Sequence, residues 1–361
     1  MPGERIGLVF GGRSVEHRVS VESARTVARD LERAGYEVVP IGISEDGCWL
    51  SPPASSPALT GEEDSLAATG GAIAPTVRVL LDAQVDVVFP LVHGTWGEDG
   101  ALQGLCEMAD IPYVGAGVDA SAVAMDKLLC KRILESIGIP VVDYEAVTRL
   151  EFADDPESVM EGAQRLGLPL FVKPSVGGSS VGVTKVPDSS CLRTSVERAL
   201  HLSESALIEC SIEGRELECS VLGYPRLEAS AVGEIRPGRE FYDYVDKYLD
   251  DGAELLIPAQ LSSELESRVR DLAVQSFAAI RGTGMARVDF LLSGDDLLIN
   301  EINTLPGFTS ISMYPKLWEE VGVSISDLVR RLVDGAIVRH RDRADLDRRI
   351  KGFLESLSGL S

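Results

Sequence analysis

Over about the first 120 residues, short apolar runs alternate with stretches of helical periodicity. Arg5–Phe10 is an apolar run of strand length that breaks at Gly11-Gly12. Val19–Ala34 repeats its apolar positions at helical spacing and stops at Gly35. Tyr36–Ile43 predicts a second strand and Val85–Val92 a third. The third is almost continuously apolar, as strands of a parallel sheet covered on both faces are. This succession predicts a doubly wound parallel α/β domain over residues 1–123, with functional loops at the carboxyl ends of its strands. Residues 51–75, rich in Pro, Ser, Ala and Gly, read as a loop or insertion.

The pattern then changes. Residues 124–140 predict a connecting helix that stops at Gly138-Ile139-Pro140. Strand Pro169–Lys173, glycine turn Ser175–Gly182 and strand Val183–Val186 predict a hairpin lid, not a strand-to-helix phosphate loop. Leu207–Gly223 predicts two further strands around Glu213-Gly214-Arg215. A helix over Ser263–Gly282 precedes strands Ala286–Leu292 and Leu297–Ile302, which turn at Gly294-Asp295-Asp296. Long helices run from Ser324 to Leu357, and the tail at 341–361 reads as one more amphipathic helix. The expected organisation is a parallel-sheet domain (1–123) and an α+β module in two lobes, 124–220 and 221–361.

A length of 361 residues accommodates two or three domains. Acidic residues outnumber basic ones, 57 to 34, for a formal charge of −23. Such a field repels polyanions and argues against a nucleic-acid partner. A small anionic substrate therefore needs a local basic cluster. None of the six cysteines forms C-x-x-C, so they read as reduced thiols. The Ile6–Phe10 run is too short for an export signal or a membrane span. A cytoplasmic protein with no membrane partner is expected.

Two segments carry chemistry. In Lys173-Pro-Ser-Val-Gly-Gly-Ser-Ser-Val-Gly182, glycines let backbone N–H groups approach a phosphate, and Lys173 adds a point charge. No G-K-[ST] follows, so this is not a Walker loop. In Ala286-Arg-Val-Asp289-Phe and Asn300-Glu-Ile-Asn303, alternate residues share a strand face. Paired as a hairpin, these strands would bring Asp289, Glu301 and Asn303 together as hard oxygen ligands beside Arg287. Magnesium bridged to substrate phosphates wants such a site, with few protein carboxylates. Val288, Phe290 and Ile302 would pack the other face. Arg287, Lys127, Lys173 and Lys247 supply the basic cluster. Glu16-His17 and His93-Gly94 follow the first and third strands, so a carboxylate and an imidazole at these strand ends could read a small amino acid. Gly115–Ala120 matches G-x-G-x-x-[GA], but the run before it holds a proline and the first βα turn lies elsewhere.

Taken together, these residues resemble the D-alanine–D-alanine ligase family of the ATP-grasp superfamily, from about residue 5 to 340. The resemblance rests on Gly11-Gly12-Arg-Ser-Val-Glu16-His-Arg-Val-Ser20, His93-Gly-Thr-Trp-Gly-Glu-Asp-Gly100 and Ala124-Met-Asp-Lys127. It continues through the Lys173–Gly182 turn, Phe241-Tyr-Asp-Tyr-Val-Asp-Lys247-Tyr248 and Ala286–Phe290, and closes with Asn300-Glu-Ile-Asn-Thr-Leu-Pro-Gly-Phe-Thr-Ser-Ile-Ser312-Met-Tyr-Pro.

The resemblance implies ATP-dependent ligation of two D-alanines through an acyl phosphate, for peptidoglycan precursor synthesis. ATP is the co-substrate. Two magnesium ions, or manganese in their place, would sit on Asp289, Glu301 and Asn303. Lys127, Lys173, Lys247 and Ser180 would serve the ATP phosphates, and Glu209 and Glu216 the adenine and ribose. Glu16 would take the ammonium of the first D-alanine, with His93 nearby. Ser179 and Tyr248 would join Glu16 in a hydrogen-bonded set that closes the site. Ser312 would hold the second carboxylate. Arg287 and the Gly307 N–H would stabilise negative charge at the reacting centre. A homodimer is implied as well. The chain departs from the family at Ser211, where a larger, often aromatic, residue is usual. D-alanyl-D-serine and D-alanyl-D-lactate are the alternative products within the family, and Tyr248 argues against lactate.

Overall fold

The computed structural model describes residues 3–66, 76–236, 254–309 and 311–358. Strand β1 (Arg5–Gly11) is the centre of a three-stranded parallel sheet, flanked by β2 (Glu37–Ile43) and β3 (Val87–Pro90). Alternate β1 side chains enter opposite cores. Ile6, Leu8 and Phe10 pack with Val21, Val27 and Leu31 of the helix His17–Arg33. Val9 packs with Leu80 and Leu102 on the other side. Apolar cover on both faces is what the continuous apolar runs demand.

The central sheet is antiparallel. It contains β4 (Tyr144–Thr148), β5 (Leu170–Pro174), β6 (Thr184–Val186) and β7 (Ser205–Cys210), in the order β4-β7-β5-β6. The third sheet, also antiparallel, orders β8 (Arg215–Gly223), β9 (Glu228–Arg236), β10 (Glu254–Leu256), β11 (Gly284–Ser293) and β12 (Asp296–Asn303) as β10-β9-β8-β11-β12. Val288, Phe290 and Ile302 are buried on one face, beneath the helix Ser263–Ala279, so the polar face is left for the site.

The first and third sheets are bound through one core. The segment after β12 inserts Leu305 and Phe308 among Phe89, Met285, Tyr314 and Trp318. The Phe308 ring meets Phe89 edge-on at 6.2 Å and Tyr314 at 5.5 Å. Phe308 is fully buried. Phe308→Ala is expected to cost about 3–5 kcal/mol, the usual range for a phenylalanine cavity, read as a lower midpoint in urea unfolding.

Several elements differ from the sequence reading. Residues Pro52–Thr60, expected as loop, form a helix that begins on prolines, where their missing N–H groups cost nothing; residues 67–75 lie outside those described. The single helix expected over 124–140 is two, Val118–Met125 and Lys127–Ser136. Asp126 between them is extended, and its carboxylate accepts the Leu128 and Leu129 N–H groups at 3.0 and 3.1 Å. The two strands expected in Leu207–Gly223 belong to different sheets. Strand β9, built largely of Ala, Ser, Gly and Val, was not foreseen. The tail is no separate helix but the end of one 34-residue helix, Ile325–Ser358.

Candidate functional site

Fourteen of the predicted site residues line one cleft of about 1310 Å3: Glu16, His93, Lys127, Lys173, Ser179, Ser180, Glu209, Glu216, Arg287, Asp289, Glu301, Asn303, Gly307 and Ser312. Lys247 and Tyr248 lie outside the described residues.

The floor is the polar face of β8, β11 and β12. Pairing sets Arg287 opposite Asn303 and Asp289 opposite Glu301. On the other side of β11, Asp289 stands opposite Glu218. Arg287 donates to both Asp289 oxygens at 2.7 Å and approaches Glu218 at 3.1 Å. Burial works against this guanidinium, but Asp289, Glu218 and Glu301 outweigh it and raise its pKa well above the ordinary value. Neither Asp289 nor Glu218 takes its Nη1. Asn303 donates its amide to Asp289 at 2.9 Å. Among the described residues no three His, Cys, Asp or Glu side chains form a metal cage. Two carboxylates and an amide are the sparser oxygen set that magnesium takes when water and phosphate complete its shell.

The register slips between Asp289 and Phe290, so Asn300 is an extra residue in β12. It accepts from Lys173 at 3.2 Å. Lys173 also pairs with Glu209 at 2.6 Å, and Lys131 meets the other Glu209 oxygen at 3.0 Å. Lys127 donates to the Gly177 carbonyl at 2.6 Å and lies 3.9 Å from Glu301. That contact brings the glycine-rich tip between β5 and β6 close over the floor. At the tip, Ser179 and Ser180 hold φ of 50° and 56°, the left-handed region that side chains other than glycine rarely enter.

The wall opposite comes from the loops after β1 and β3. Ser14 ties them, donating to the His93 carbonyl at 2.6 Å and accepting the Glu16 N–H at 3.2 Å. Glu16 is 9 % exposed and accepts a hydrogen bond from the Ser179 hydroxyl across the cleft. Gly94 stands against it. A Cβ there would fall 2.8 Å from Glu16 Oε2, at a φ of +78° that disfavours a side chain in any case.

His93 is buried. Its Nδ1 faces the Leu305 carbonyl at 3.1 Å and Glu98 at 3.4 Å, and its Nε2 meets Ser23 at 3.0 Å. Burial opposes the imidazolium, but Glu98, the Glu16 charge and the Leu305 carbonyl outweigh it and raise the pKa above its ordinary 6.5. The stability this gives is fully present below the ordinary value and lost as pH rises through the raised one. His93→Gln should therefore destabilise the fold more at about pH 6 than at about pH 8.5. Urea melts of both proteins at the two pH values check this; an equal loss at both would contradict it. His17 is structural: Nδ1 donates to the Gly12 carbonyl at 2.7 Å, and Nε2 accepts the Leu66 N–H at 3.2 Å.

At the far end, Ser312 precedes the helix Met313–Glu320. Its hydroxyl accepts the Thr309 N–H at 3.0 Å and lies 2.8 Å from the Thr309 hydroxyl. A Cβ on Gly307 would fall 2.9 Å from that hydroxyl, so Gly307 brings its backbone against Ser312. Sequence reasoning missed Lys131, Glu98, Glu218 and Asn300. Glu218 had a signal, since Glu216 and Glu218 alternate with buried Leu217 and Cys219.

A glycine-tipped hairpin closing over a sheet of acids and cations, beside a parallel α/β domain, is the arrangement of an ATP-grasp protein. The family models described as D-ala D-ala ligase N-terminus and C-terminus match residues 5–116 and 133–334. A D-alanine–D-alanine ligase of Halothermothrix orenii is 44% identical over 336 residues, covering 92% of this chain and 98% of the relative. One of Mycobacterium bovis is 45% identical over 364 residues, covering 93% and 96%. The solved D-alanine–D-alanine ligase of Coxiella burnetii superposes with a TM-score of 0.84 at 35% identity, covering 98% of this chain and all of that one. The VanG D-Ala:D-Ser ligase of Enterococcus faecalis gives 0.78 at 32% identity, covering 92% and 99%. The chain belongs to the D-alanine–D-alanine ligase family, whose members are ligase enzymes.

Proposed function

We propose that this chain joins two D-alanines into D-alanyl-D-alanine at the expense of ATP, for peptidoglycan precursor synthesis. One observation carries the reading: Arg287, Asp289, Glu301 and Asn303 converge in the same cleft as Lys127 and Lys173. A carboxylate is a poor electrophile. Transfer of the ATP γ-phosphoryl group to it gives an acyl phosphate and ADP. The amine of the second D-alanine then attacks the carbonyl, and phosphate leaves with one former carboxylate oxygen. Phosphoryl transfer needs positioning and charge neutralisation more than covalent help. That need accounts for a cleft rich in lysine, arginine and acids.

In this reading Lys127, Lys173 and Lys247 bind phosphates, and the Ser179–Ser180 tip excludes water. Glu209 and Glu216 face the adenine and ribose. Glu16 takes the first ammonium, with His93 fixing the adjoining loop and Ser179 and Tyr248 completing the set. Ser312 takes the second carboxylate. Arg287 and the Gly307 N–H meet developing negative charge. Asp289, Glu301 and the Asn303 carbonyl oxygen would hold magnesium. Bound there, magnesium neutralises the phosphate oxygens and draws off charge during transfer. The three sheets then correspond to three domains, in a cytoplasmic enzyme that pairs as a homodimer. The free cysteines agree with a reducing compartment, and among the described residues no helix is long and apolar enough to cross a membrane.

Phosphate release with D-alanine, L-alanine, D-serine and D-lactate in parallel, with products weighed by mass spectrometry, tests the assignment. D-alanyl-D-alanine should dominate. No dipeptide, or a D-serine or D-lactate product in excess, would overturn it.

A further inference from the structure

Lys131 lies one helical turn beyond Lys127 and does not line the cleft. It is 2 % exposed, its carboxylate partner Glu209 is also 2 % exposed, and burying an ammonium this deeply is costly. Its ammonium sits 3.0 Å from Glu209 Oε1 and donates to the Val142 carbonyl at 3.3 Å, with the Tyr144 ring 5.6 Å away. The Glu209 contact is ionic rather than an aligned hydrogen bond. The other oxygen, Oε2, pairs with Lys173 at 2.6 Å. Two ammonium groups therefore share one carboxylate, a cluster of net charge +1 whose cleft-facing end is Lys173. Without Lys131, Glu209 and Lys173 would form a closed neutral pair, and an anion in the cleft would compete with Glu209 for that ammonium.

We propose that Lys131 is a positioning residue for nucleotide binding: by sharing Glu209 it leaves Lys173 positively charged toward a polyphosphate. This rests on the reading of the cleft as the nucleotide site. Burial and the neighbouring Lys173 lower the Lys131 pKa against the pull of Glu209. Lys173, also opposed by burial, is nonetheless held above its ordinary value by Glu209, Glu301 and Glu216. Of the two ammonium groups, Lys173 is thus the one held more firmly in its charged form.

Calorimetric titration of the full chain with magnesium ATP and with adenosine tests this. Lys131→Met should weaken ATP binding about tenfold and adenosine binding less than about twofold, since only the polyphosphate senses Lys173. Lys131→Arg should recover ATP affinity to within about threefold of the parent, because it restores the charge. Unchanged ATP affinity in folded Lys131→Met, or equal loss for ATP and adenosine, would overturn the proposal. Should that variant not fold, Glu209→Gln is compared with Lys131→Met/Glu209→Gln. Acting only through Glu209, the added Lys131 change should then move ATP affinity less than about twofold, and a larger change would overturn the proposal. Binding is measured without D-alanine, so its outcome is separate from whether a dipeptide is made.

Discussion

Asp289→Ala is expected to lower kcat by at least roughly a hundredfold, the scale of losing one transition-state electrostatic group. The carboxylate does two things in the cleft. In the proposed reading it would offer oxygen to a cation beside Glu301, its cross-strand partner. It also clamps Arg287 through two hydrogen bonds of 2.7 Å, and so aims the guanidinium. Removing it leaves a half-buried arginine with Glu218 at 3.1 Å. Glu301→Ala would remove the second carboxylate of the proposed ion site but not the arginine clamp, so its loss of kcat should be large while adenosine binding stays near the parent value. Steady-state phosphate release at saturating D-alanine, across a magnesium titration, measures both. Turnover near that of the parent in Asp289→Ala would remove the metal assignment.

The second large effect concerns the amino-acid end. Glu16→Gln should reduce kcat/KM for D-alanine by about a hundredfold, the scale of truncating one member of a buried charge pair. The Glu16 carboxylate is nearly enclosed, with Ser179 donating to it and Gly94 close against Oε2. An amide keeps the shape and an acceptor for Ser179 but loses the charge that a substrate ammonium needs. The loss should fall on the KM of the first D-alanine, while ATP affinity measured alone stays unchanged. An equal loss in ATP affinity would show that Glu16 supports the lid rather than the substrate.

Much of this site was legible because its chemistry sits on two strands with clean alternation. Arg287, Val288, Asp289 and Phe290 swap faces as expected, and register brings Arg287 to Asn303 and Asp289 to Glu301. The extra residue at Asn300 was not legible: a bulge breaks counting by twos, and it is what places Asn300 against Lys173. Contacts across long separations, such as Ser23 to His93 or Lys131 to Glu209, have no local pattern to betray them. The break at Asp126 could have been read, because an aspartate before Lys-Leu-Leu is a good helix cap. Strand β9 could not, since its small residues lack the bulk that marks strands.

The most direct measurement follows one oxygen atom. D-alanine labelled with oxygen-18 in its carboxyl group is incubated with the enzyme, magnesium and unlabelled ATP, and the released phosphate is analysed by mass. Attack by the carboxylate on ATP predicts phosphate carrying one labelled oxygen for each dipeptide formed. Unlabelled phosphate, or ATP cleavage with no dipeptide, would contradict it.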